Sequence, residues 1–135
     1  MRRIHLIVGI VAVLAFVLSG QAMRFHHPPT RDLTPEFRLM FVSRHIYMLA
    51  GALVNVCLGL YLQLSETRLR RIAQAAGSIL VLLSPAFSVL AFLQEPQGGM
   101  AGHSWRTPAG LLPLFAGVML HLISRLGERN VRRQN

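Results

Sequence analysis

The stretch LMFVSRHIYMLAGALVNVCLGLYL, residues 39–62, decides the fold: it is apolar throughout except for Arg44, His45 and Asn55. As a helix it is about 36 Å long, more than the roughly 30 Å of a bilayer's hydrocarbon. Winding it at about 100° per residue places Arg44, Met48, Gly51, Ala52, Asn55 and Gly59 on one arc, with His45 at its edge. Ile46, Leu49, Leu53, Val56 and Leu60 take the opposite side. A helix in lipid gains nothing by burying leucine, so small and polar residues mark the face that meets other helices. The leucines are expected to face lipid, and the glycines and Asn55 to face protein.

Composition agrees with a membrane domain. Of 135 residues, 53% are hydrophobic and only 14% charged, which excludes an ordinary soluble domain of this size. The net charge of +9 comes from arginine alone, with no lysine. In a soluble chain that charge would suggest nucleic acid; here its position sets orientation instead, and no nucleic-acid partner is expected. The single cysteine, Cys57, lies on the lipid side of its helix, so no intrachain disulfide forms.

Outward from this stretch, three further apolar runs appear. Toward the N-terminus, MRR precedes an uncharged run from Ile4 to Met23. A secretory signal peptide cut after Ala22 would share that layout. The run is nonetheless long enough to span, and His5, Gly9, Ala12, Phe16 and Gly20 share an arc, so an uncleaved first helix is expected. The loop RFHHPPTRDLT follows, where Pro28 and Pro29 stop the helix. Thr34, Pro35 and Glu36 then supply an N-cap, a first-turn proline and an acidic residue at the positive end of the dipole.

Toward the C-terminus, SETRLRR makes a basic connection to an uncharged run from Ile72 to Gln94. Ala73, Gly77, Ser84, Ser88, Ala91 and Glu95 line one face of it. Pro85 deprives the Val81 carbonyl of its helical partner, a loss that Ser84 or a neighbouring helix must make good. After the glycine-rich loop QEPQGGMAGHSWRTP, Thr107 and Pro108 open the last run, which ends at Ser124. Gly110, Leu114, Gly117, His121 and Ser124 share its face. The expected architecture is an all-α membrane protein: one domain over residues 1–135, an antiparallel bundle of four transmembrane helices near 4–23, 35–64, 70–95 and 107–125, and a fraying basic tail.

Nine of the 14 arginines sit at the N-terminus, in the loop between the second and third helices, and in the tail. Four others (Arg24, Arg31, Arg38 and Arg106) belong to the opposite side. The richer side is cytoplasmic, which places both termini inside. RHIYMLAGALVNVCLGLYL, residues 44–62, resembles the second helix of small four-span proteins of bacterial inner membranes, a family with no activity attached. That resemblance implies the bacterial inner membrane. The chain departs from transmembrane diheme b-type cytochromes, because only His5, His45 and His121 lie inside spans. One heme is allowed by that count; two are not.

Four groups of residues carry candidate chemistry. Arg44 lies below the outer end of its helix and calls for an anion, for which Glu95 on the third helix is the candidate. With His45 and Tyr47, Arg44 alternatively lines a site for an anionic headgroup or a quinone. His5 and His121 stand at matched depth on glycine-bearing faces, as axial ligands of a b-type heme would, although hydrogen bonds across helices explain them as well. Met23, His26, His27, Met100 and His103 in the outer loops suit copper, but their spacing closes no ligand set. Asn55, at mid-bilayer, is expected to join helices through Ser84 or Ser88.

No nucleophile with a matched base, no phosphate loop and no intramembrane carboxylate deeper than Glu95 is present, so no catalytic residue is assigned. The expected role is non-catalytic: association in the bilayer with another membrane protein, as an accessory or assembly subunit, or with further copies of the chain. A redox protein with a single heme b or a quinone is the alternative, and copper binding on the outer face a further one.

Overall fold

The computed structural model describes residues 1–25, 30–94 and 105–132, giving the backbone alone at residue 30 and over 126–132. Among these residues the chain is all helical: α1 is Arg2–Phe25, α2 Pro35–Tyr61, α3 Arg68–Gln94 and α4 Arg106–Arg132, with a 3-10 turn at Thr30–Asp32. All four α-helices are long and apolar enough to cross a membrane.

Helix limits follow local chemistry, with three departures from the sequence reading. Pro35 opens α2 as expected, and Thr34 has the extended backbone of a cap residue (ψ 152°). Its hydroxyl, however, makes no cap bond. The other end of α2 comes at Tyr61 rather than near Leu64, because Leu62 is extended (φ −61°, ψ 121°). Buried Gln74 of α3 holds the turn that follows: its Oε1 accepts the Ser65 N–H (2.9 Å) and its Nε2 donates to the Gln63 carbonyl (3.3 Å). One amide side chain thus meets a backbone donor and an acceptor that lipid could not. The third departure is α4, which runs past the expected end near residue 125 to Arg132. It also continues through an interior proline, Pro113, that the sequence reading passed over.

The helices meet where glycine removes a side chain. A Cβ on Gly59 would lie 2.7 Å from the Leu6 backbone, and one on Gly9 would lie 2.7 Å from Val56 N, so α1 and α2 are nearly in backbone contact. Gly77 and Gly117 bring α3 and α4 as close, since a Cβ on Gly117 would stand 2.6 Å from the Gly77 carbonyl oxygen. With no hydrophobic drive between helices in lipid, such close approach supplies the dispersion energy that holds them. The α2–α3 contact is looser and runs through Gly51 against Ser84 and an edge-on Phe41–Phe92 pair at 5.8 Å. Arg2 of α1 reaches Leu60 of α2 while Phe16 stacks on His45, and Gly77 of α3 meets Gly117 of α4 while Phe87 meets Trp105.

Arg2 closes one end of this arrangement. Its guanidinium donates to the carbonyls of Leu60 (2.6 Å) and Gly59 (3.4 Å), carbonyls at the end of α2 that lack helical partners.

Candidate functional site

The face proposed for α2 is the buried one: Met48, Gly51, Ala52, Asn55 and Gly59 are all enclosed. Asn55 is fully buried and joins three helices. Its Nδ2 donates to the Gly51 carbonyl one turn earlier (2.9 Å) and to the Val81 carbonyl of α3 (3.1 Å). The second acceptor is the carbonyl that Pro85 deprives of a helical donor. Both amide hydrogens are thereby engaged, so Oδ1 is left to accept, and His5 Nδ1–H of α1 donates to it at 2.8 Å. That fixes the neutral His5 tautomer and leaves its Nε2 as a lone-pair nitrogen. Nε2 is buried and has no hydrogen-bond partner among the described residues.

The expected partners of Asn55 are therefore corrected. Ser84 lies against Gly51, and its hydroxyl has no hydrogen-bond partner among the described residues. Ser88 packs on Gly110 of α4, where a glycine Cβ would meet its Oγ at 3.0 Å. A freed carbonyl is a better acceptor for an amide than a hydroxyl already facing a neighbour, and Asn55 is level with Val81.

His121 of α4 is buried against Ser78 of α3, with Nε2 and the hydroxyl 3.3 Å apart. His5 and His121 thus each bond across to a different helix. Between them a macrocycle has no room: His5 Nδ1 is held by Asn55 and His121 Nε2 faces Ser78, Gly9 is filled by Val56, and Gly117 by Gly77 and Val81. These residues do not fit a heme.

Toward the opposite end, His45 of α2 stacks on Phe16 (centroids 4.0 Å apart, 17° between planes) in the notch left by Gly20. The Ser19 hydroxyl donates to the Phe16 carbonyl (2.8 Å), so it accepts from His45 Nδ1–H (2.9 Å). Arg44 is half-buried and donates to Ser43 Oγ at 3.0 Å. Its proposed partner Glu95 lies outside the described residues, as do His26, His27, Met100 and His103 of the copper candidate. Tyr47 is half-buried, Met23 half-buried near the end of α1, and Cys57 is exposed and free. Among the described residues, no group of three or more His, Cys, Asp or Glu could hold a metal.

The buried polar side chains Ser19, Ser65, Gln74 and Ser78 were missed by the sequence reading. The last two stand one turn apart on α3 beside Gly77, and that spacing inside an apolar run was the available signal. The chain matches no family model, and neither a curated protein nor a solved structure matches it.

Proposed function

We propose that this chain is a multi-pass protein of a bacterial inner membrane, with both termini in the cytoplasm and its helices in an antiparallel bundle. It acts by association, as an accessory or assembly subunit of a membrane complex or as a homo-oligomer, and turns over no substrate. The supporting observation is the use made of the polar core: Asn55 joins α1, α2 and α3, Ser78 with His121 joins α3 to α4, and Ser19 with His45 joins α1 to α2. These groups tie helices together, which is what a scaffold asks of them.

The test is affinity purification of the full-length tagged chain from membranes in mild detergent, with an optical spectrum of the product. A colourless preparation that retains a stoichiometric membrane partner, or migrates as an oligomer, is expected. A sharp reduced b-type band would replace this reading with the redox one, and a colourless lone monomer would remove association.

A further inference from the structure

An apolar groove of about 420 Å³ runs between α2 and α4, floored by α3. Leu53, Cys57 and Tyr61 form one wall, His121 and Leu122 the other, and Arg125 stands at its end. In hydrocarbon such a gap is filled by some acyl chain, because an empty one forfeits packing on every wall. Which lipid fills it is decided at headgroup level.

There the groove meets a second recess of about 610 Å³, lined by Arg2, Arg3, Leu62, Gln63 and Leu64. Leu62 borders both spaces, and Arg125 donates to Gln63 Oε1 at 3.1 Å, which links the two. Arg71 is close by, donating to the Ser65 and Glu66 carbonyls. Among the described residues, none of Arg2, Arg3, Arg71 and Arg125 lies within ion-pair distance of a carboxylate. Arg2, Arg3, Arg71 and Arg125 converge on residues 59–66, where Arg2, Arg71 and Arg125 bond carbonyl and amide oxygens and Glu66 is the one acidic residue, which leaves a surplus of positive charge at the mouth of an acyl-sized groove.

The geometry points to a binding site for an anionic glycerophospholipid, one acyl chain lying in the α2–α4 groove and the phosphate at Arg125, flanked by Arg2 and Arg3. Basic recesses between transmembrane helices recognise such headgroups, and a guanidinium hydrogen-bonds phosphate in a way that a zwitterion's own ammonium weakens.

Native mass spectrometry of the full-length protein in neutral detergent, with equimolar phosphatidylglycerol and phosphatidylcholine, tests this. Phosphatidylglycerol adducts should predominate by about fivefold for each arginine engaged. Arg125→Gln should cut that preference by about fivefold, while Arg125→Lys keeps most of it. Cys57→Trp, which fills the groove and leaves every arginine in place, should abolish the adduct; it decides the matter should Arg125→Gln fail to fold. Equal adducts in the wild type, an unchanged preference in Arg125→Gln, or an adduct surviving in Cys57→Trp would each overturn the site. So would displacement of the lipid by inorganic phosphate, which would mark a free-anion site instead.

Discussion

Asn55 and Pro85 form a compensating pair across two helices. A proline in mid-helix removes one backbone hydrogen bond, and in lipid no water replaces it. The Asn55 amide does, at 3.1 Å from the Val81 carbonyl. Replacing Asn55 with leucine strands that carbonyl and the His5 N–H, and should lower thermal stability in detergent by about 1–2 kcal/mol. Restoring the backbone donor with Pro85→Ala should recover part of that loss, so the double variant should melt above Asn55→Leu alone. Strictly additive effects would separate the two residues. A second cycle tests Glu95 as the proposed counter-ion of Arg44: on that proposal Glu95→Gln should destabilise more than Arg44→Leu with Glu95→Gln, by a coupling of about 0.5–3 kcal/mol, because the single change would leave a charge unpaired. Melting curves of the three variants decide it, and additivity would remove Glu95 as the partner.

Among the helices, tolerance to substitution should follow the gap each glycine faces. Gly59→Ala forces a methyl against the Leu6 backbone, which cannot yield without moving α1, and should cost about 1–3 kcal/mol. Gly20→Ala meets only the His45 ring at 3.3 Å, which can tilt by the few tenths of an ångström required, and should cost far less. Equal melting temperatures for the two variants would show that the α1–α2 approach is looser than described. The existence and faces of the helices were legible because each apolar run is long and its small residues recur at helical spacing. Gly51, Asn55 and Gly59 of α2 and Gly110, Gly117 and His121 of α4 are buried as their arcs required. Partner identity was not legible: whether Asn55 meets Ser84 or the Val81 carbonyl depends on the rotation and axial shift of α3 against α2, and no periodicity within one helix encodes that. Helix ends were legible where proline sets them, as at Pro35, and not where tertiary contacts do, as at the Gln74-held turn after Tyr61.

At the scale of the whole molecule, orientation rests on where arginine accumulates. Reporter fusions near Glu66 and Arg132 should be active only in the cytoplasm, and fusions near Thr30 and Gly99 only outside it. An exported reporter on the C-terminal tail would reverse the topology and move the lipid site to the other leaflet. Arginines on the proposed cytoplasmic side also hold the structure at that end: Arg2 on the last carbonyls of α2, Arg71 on the turn before α3, and Arg125 on Gln63.

The His5–Asn55 bond has a consequence for biogenesis. The two residues are 50 positions apart, so at roughly 5–20 residues per second the ribosome delivers Asn55 about 3–10 s after His5. Through that interval the first helix carries an imidazole with no acceptor from its own chain, and the insertion machinery or the membrane surface must shelter it. Asn55 in turn emerges 26 residues before the carbonyl it will receive. The first two helices are thus synthesised with the donor for the third already among them, and Pro85 is made after the amide that compensates for it.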